Sequence, residues 1–341
     1  MRRAGGRAEP GTAQERLPHR GGGRARRVRP PAHPVLQRLS AAREEFRLPI
    51  ADESFGIWLR IGSTLAFAAM GVCIKALSGS VPLGQMVFFR SAVALLPLVL
   101  FLWWSGDFPR GLATRRPLGH VARSLLGACA MFTAFATISL LPLAEATLLS
   151  YLAPVMLALL GWALLGEGLG PRRIGGIVLG LCGGAAFCLP ALSGNLADGA
   201  LLGVLLGLAT SFLTAGALIQ VRRLTLAGER AGAIAFWFAI VSAVAGLATL
   251  PFGWVMPDVH QALLLFGAGL AGGIAHILMT LSFRHAEAAA LAPFEYLSIL
   301  WAAAAGGLFF AEVPNWAFLV AAPLVLAGSL VALPRRRGPP A

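Results

Sequence analysis

The chain has 341 residues, of which 57% are hydrophobic and 13% charged, with a mean hydropathy of +0.75. A soluble domain carries about 25% charged residues. A chain this long with so few cannot cover its surface with polar groups in water, and lipid is its natural solvent. The net charge of +13 does not indicate nucleic-acid binding: 12 Arg against 4 Glu lie in the first 50 residues, and the remaining surplus is scattered through short loops and the Arg335, Arg336, Arg337 tail. No aromatic residues interleave with a basic patch to stack bases.

Residues 1–50 are rich in Arg, Gly and Pro, lack apolar periodicity, and read as a disordered basic N-terminal tail with no signal-peptide h-region. From Ile57 the chain is nearly continuous apolar text cut by short punctuation. Ten spans are predicted: Ile57–Leu77, Pro82–Trp104, Leu118–Ser139, Ala144–Leu165, Ile174–Leu192, Ala200–Val221, Ala231–Leu250, His260–Leu281, Ala286–Ala311 and Trp316–Leu333. Most are near the ~20 residues that cross a hydrocarbon core, and they must be helices because lipid satisfies no backbone group. The short strands of a β-barrel are absent from the pattern. Residues 335–341 form a basic tail.

Alternate connections carry Arg110, Arg115 and Arg116; Arg172 and Arg173; Arg222, Arg223 and Arg230; and Arg284, while the other five carry no Lys or Arg. This positive-inside pattern predicts a multi-pass protein with both termini in the cytoplasm. Trp58, Trp103, Trp104, Trp254 and Trp316 lie near span ends, as interfacial anchors should. Lys75 is the only lysine among 28 basic residues; with the Ala, Gly and Arg richness, this points to a bacterial inner-membrane protein.

There is an internal repeat. YLAPVMLALLGWALLGE (151–167) and YLSILWAAAAGGLFFAE (296–312) match at an offset of 145, pairing Tyr151 with Tyr296, Gly161 with Gly306 and Glu167 with Glu312. Ala-Glu-Ala precedes both copies, at Glu145 and Glu287. The matched segments are spans four and nine. Five helices per repeat force opposite orientations, an architecture common among secondary transporters, with the substrate site between the repeats.

The stretches 141–167 and 283–314, with VFFRSAVALLPLVL (87–100), resemble the paired EamA modules of the drug/metabolite transporter superfamily. The second helix is similar to that of a branch of S-adenosylmethionine uptake proteins. The resemblance covers roughly residues 57–334 and excludes the N-terminal tail. It implies an all-α fold of two inverted five-helix repeats, 57–192 and 200–334, around a central cavity. It also implies alternating-access transport of amino acids, nucleosides or related metabolites, with no cofactor.

Charged groups inside spans are costly and need a reason. Arg90 lies eight residues into the second span, about 12 Å deep, and Glu295 nine residues into the ninth, about 13 Å deep. Both are therefore expected near the midplane, facing the cavity from opposite halves. Arg90 would clamp a substrate carboxylate or phosphate, and Glu295 would bind an amine or exchange a proton; a salt bridge locking two helices is the structural alternative. Tyr151, Tyr296 and Trp301 are candidate cavity walls, against plain aromatic packing. His276 is a candidate proton relay, against a hydrogen-bonded core histidine. Gln85 and Gln220 are further polar candidates.

Lys75 and Arg123 are expected to snorkel or to reach the cavity. Glu145 and Glu287 are expected at the interface, and Glu167 and Glu312 at span boundaries. Pro154 and Pro293 each remove a helix hydrogen bond, and a break is expected at both. Gly176, Gly180 and Gly184 form a small-residue face for close packing within the bundle or in a homodimer.

Cys73, Cys129, Cys182 and Cys188 read as small buried hydrophobes, with no metal-ligand or disulfide spacing. No span contains Asp and no Ser–His motif or metal cluster occurs, so a membrane-embedded enzyme is disfavoured. The remaining alternatives are a passive channel and a non-transporting assembly protein. The expected partners are a small-molecule substrate and the lipid bilayer, and no nucleic acid.

Overall fold

Away from water, a backbone N–H or C=O must find its partner within the protein, and an apolar segment does this most simply by coiling into a helix. The computed structural model describes residues 53–332 apart from 107, 110, 111, 167, 169, 193–198 and 287, so both basic tails, Glu167 and Glu287 lie outside the described residues. The described residues contain no strand. The helices are α1 (Glu53–Leu77), α2 (Leu83–Trp104), α3 (Pro117–Leu140), α4 (Leu143–Ser150), α5 (Ala153–Leu165), α6 (Pro171–Leu192), α7 (Ala200–Leu226), α8 (Ala231–Leu247), α9 (Val259–His285), α10 (Ala288–Glu295), α11 (Leu297–Phe310) and α12 (Trp316–Ala332). Among the described residues, seven helical stretches are long and apolar enough to cross a membrane, while Ala231–Leu247 and Trp316–Val331 are apolar but shorter.

The surface is that of a protein in lipid. Leucines, phenylalanines and tryptophans are exposed along most helices, among them Leu65, Leu96, Phe212, Leu263, Leu308 and Leu319. Exposed apolar area on this scale is not tolerated by a monomer in water. Trp58, Trp103, Trp104 and Trp316 are exposed near helix ends. Trp254 differs from the expected anchor: it is half-buried against Phe88 and Phe89, and its indole donates to Thr249 Oγ1 at 2.9 Å. Cys129 and Cys182 are also exposed, contrary to the buried reading.

The fourth and ninth predicted spans are each broken, into α4 and α5 and into α10 and α11. The breaks fall at Tyr151–Leu152 and at Tyr296, the positions matched by the repeat. Pro154 accounts for the first, because it cannot donate to the Ser150 carbonyl and its ring crowds that group. Pro293 lies inside α10, and the helix runs on past it to Glu295. The breaks align although the prolines do not. The downstream halves also end alike: Gly166 (φ 64°) and Ala311 (φ 52°) are left-handed caps whose N–H groups bond to the matched Gly161 and Gly306 carbonyls.

Pairings set the bundle. α1 packs along α9 and α3 along α7; α2 packs on α8, and α6 on α12. α11 lies against α1 as α5 lies against α7. The α6 glycine face is used within the chain: a Cβ on Gly328 of α12 would meet the Gly180 backbone at 2.4 Å and the Gly176 carbonyl at 2.8 Å, so only glycine permits this approach.

Candidate functional site

α1, α3, α4, α5, α7, α9, α10 and α11 line a cavity of about 530 Å³. Its polar lining comes from Arg60, Ser63 and Thr64 on α1, Thr137 on α3, Thr147 and Ser150 on α4, Thr210 and Thr214 on α7, and Ser298 on α11. The two breaks meet in its wall. Since no residue of α11 continues the helix across Tyr296, the Glu295 carbonyl is free to accept the Tyr151 hydroxyl, which also contacts Ser298 Oγ. The two tyrosine rings pack 5.1 Å apart. Other carbonyls loosened by the first break are capped by side chains: Ser211 donates to the Leu149 carbonyl and Ser329 to that of Tyr151, both at 2.6 Å. Every freed acceptor named here finds a donor, as a buried backbone requires.

Glu295 forms an ion pair with Arg60, 2.7 Å away, and not with Arg90. Arg60 is 5% exposed at its side chain and Glu295 49%, so the carboxylate faces the open cavity while the guanidinium is set into its wall. Arg60 also lies over the Phe283 ring at 5.3 Å. Sequence reasoning missed Arg60, because an arginine near the start of a first span looks like any snorkelling cation. Tyr151, Tyr296 and Pro154 line the cavity; Arg90, His276, Trp301 and Pro293 do not. Arg90 points at α9, beside Gly272. His276 packs edge-on against Phe67, with ring centroids 5.1 Å apart. Trp301 is half-buried on α11. Gln85 is buried and pins α2 to the chain before α9, exchanging hydrogen bonds with the N–H and carbonyl of Val255. Gln220 borders a surface groove with Arg115, Arg116 and Arg223.

At the far end of α1, Lys75 does not snorkel. Its Nζ lies 2.9 Å from Glu312 Oε1 and donates to the Leu141 carbonyl at 2.6 Å. Glu312 Oε2 accepts the Leu143 N–H at 2.7 Å, so this carboxylate joins α1, α4 and the end of α11. Both side chains are mostly buried, at 15% and 14% exposed. Glu145, expected at the interface, is 3% exposed and accepts from the Asn315 N–H. These contacts lie directly beyond Leu143, which lines the cavity. Arg123, finally, stacks over the Phe238 ring at 4.0 Å.

Residues 54–187 match the EamA-like transporter family. The chain is 28% identical to the pseudopaline exporter of Pseudomonas aeruginosa over 286 residues, spanning 83% of this chain and 96% of that protein. It is 26% identical to an S-adenosylmethionine uptake transporter of Rickettsia bellii over 280 residues, 81% of this chain and 92% of that one. It is 28% identical to a riboflavin transporter of Rhizobium johnstonii over 277 residues, 80% and 89% of the two chains. One crystal structure superposes with a TM-score of 0.58 at 21% identity, over 82% of this chain and 98% of its own, a likeness of fold alone. These relatives are transporters by name rather than enzymes, and the many apolar helices suit a multi-pass membrane protein. Residues 54–187 thus carry an EamA-like module, and the chain as a whole is similar to transporters of small metabolites.

Proposed function

We propose that the protein is a secondary active transporter that moves a small polar metabolite, of the amino-acid, nucleoside or related class, by alternating access. Its ten spans form two inverted five-helix halves, 57–192 and 200–334. The pairings support this arrangement: adding five spans to one partner and subtracting five from the other turns α1 on α9 into α7 on α3, and leaves α2 on α8 and α6 on α12 unchanged. The aligned breaks and matched left-handed caps support it locally.

The observation that carries the reading is the difference between the cavity's two ends. A buried Lys75–Glu312 pair backed by Leu141 and Leu143 closes one end, while Glu295 is half-exposed at the other. With the arginine-bearing loops in the cytoplasm, the closed end is the outer one and the cavity faces inward. A static pore has no use for such a closure. Arg60 and Glu295 form an amphoteric pair that can exchange partners with a substrate's carboxylate and amine, and proton uptake by Glu295 would couple transport to a gradient. The relatives' cargoes, pseudopaline, S-adenosylmethionine and riboflavin, are small metabolites, in keeping with this class.

Counterflow in proteoliposomes, with radiolabelled amino acids and nucleosides, tests the reading. Saturable uptake accelerated by unlabelled substrate inside is expected. Non-saturating flux would make the protein a channel, and no flux with any member of the panel would remove the substrate class.

A further inference from the structure

The cavity leaves two intramembrane cations unused. Arg90 of α2 is 5% exposed and its Nε has no hydrogen-bond partner. Arg123 of α3 stacks on Phe238 with Nε and one terminal nitrogen unpartnered. Among the described residues no carboxylate lies within ion-pair distance of either; Glu295, Glu312 and Glu229 serve Arg60, Lys75 and His120. Glycines make room for both arginines. A Cβ on Gly272 would meet Arg90 Nε at 3.1 Å, and one on Gly127 would meet the free terminal nitrogen of Arg123 at 2.6 Å.

Arg90 meets α9 at Gly272, one helical turn before His276, and α2 and α3 both pack on α8, which carries the Phe238 ring under Arg123. The hydroxyls of Ser91, Ser124 and Ser242, on α2, α3 and α8, are fully buried and unpartnered. Phe67 and Met70, which line the cavity, back onto this region: Phe67 against His276, and Met70 Sδ 2.9 Å from the same point beside Gly272 that Arg90 approaches.

Two cations held in apolar surroundings without a counter-charge lose hydration and repel each other. A guanidinium fork matches the oxygens of a carboxylate or phosphate. We propose that Arg90 and Arg123 form a buried anion-binding site, for a carboxylate or phosphate group, behind the Phe67–Met70 wall of the cavity. The flexible thioether of Met70 is the movable part of that wall. The anion arrives either from solution through the cavity or as a lipid headgroup between helices.

Thermal unfolding of the purified full-length protein tests this. In detergent, inorganic phosphate is compared with chloride at matched ionic strength; in nanodiscs without phosphate, phosphatidylglycerol is compared with phosphatidylcholine. Saturating phosphate should raise the apparent Tm by roughly 4 °C. Arg90→Met and Arg123→Met should each abolish that shift and, without phosphate, melt no lower than the wild type, because each removes an uncompensated charge. Arg90→Lys, which keeps the charge and loses the fork, should retain part of the shift. An arginine-dependent shift with phosphatidylglycerol but not with phosphate assigns the site to a lipid headgroup. The proposal is overturned if no anion gives an arginine-dependent shift, or if both Met variants melt lower without anion, the mark of arginines already satisfied by the fold. No flux enters this test, so it stands apart from the transport reading.

Discussion

α1 carries one cation near each end: Arg60 reaches Glu295 within the ninth predicted span, and Lys75 reaches Glu312 just past its end. Lys75 and Arg60 are about 22 Å apart along the helix. The pairs look alike in sequence and differ in surroundings. Lys75–Glu312 is mostly buried and tied into the backbone at Leu141 and Leu143. Arg60–Glu295 has a half-exposed carboxylate, and Arg60 Nε and Nη1 have no partner. A buried pair is costly to break because the survivor keeps its desolvation penalty, whereas an exposed carboxylate can trade its partner for water or ligand. On the proposed reading, one pair is the closure and the other a binding group.

The largest expected effect breaks the closure. Lys75→Met or Glu312→Gln should each lower stability by about 3–5 kcal/mol, read as a lower apparent Tm in detergent, and Lys75→Met with Glu312→Leu should recover much of it. Single variants that melt like the wild type would equate the two pairs. Next, Glu295→Gln, whose amide oxygen can still accept from the buried Arg60, should cost under about 1 kcal/mol of stability yet lower counterflow roughly tenfold, which is about 1.4 kcal/mol of transport barrier. Comparable losses of folding and flux would make this pair a second structural lock.

Tyr151→Phe removes the hydroxyl that joins the two broken spans and should cost about 1 kcal/mol. The measurement is chemical unfolding, with transport read in parallel.

The start of α3 also has a contact that belongs to neither pair: His120 Nε2 meets Glu229 Oε2 at 3.1 Å, and the Arg115 N–H donates to Glu229 Oε1 at 3.0 Å. Burial raises the Glu229 carboxyl, but the bonds from His120, Arg115 and Thr114 outweigh it and hold the group below its ordinary range. A depressed folded-state value means stability that is complete above the unfolded pKa of about 4.3 and is lost as pH falls through the folded one. Acid unfolding below about pH 4 should therefore be less steep in Glu229→Gln than in the wild type.

The smallest effect concerns the caps. Ala311→Gly should stabilise by up to about 1 kcal/mol, since alanine is strained at φ 52° where the matched cap has glycine.

Much of the molecule was legible without coordinates. Apolar runs must become helices in lipid, so hydropathy placed the elements; a 145-residue offset paired Tyr151 with Tyr296, while the breaks were expected from Pro154 and Pro293 and fall at the tyrosines instead. These are properties of contiguous sequence. Counting residues at 1.5 Å each puts Arg90 and Glu295 well inside the predicted spans, but direction was not legible. A residue's rotation about its helix axis is decided by packing, and the glycines of α9 draw α2 so close that Arg90 faces Gly272 instead of the cavity.

Partner choice was hidden for the same reason. Arg60 and Glu295, like Lys75 and Glu312, are separated by more than 230 residues, and nothing local marks either cation as paired rather than snorkelling. The sequence by itself determined a membrane-embedded helical chain with a repeated, broken span. Only the tertiary structure decided which charges meet, because an ion pair in lipid is chosen by the few ångströms over which helices approach, and no periodicity encodes that distance.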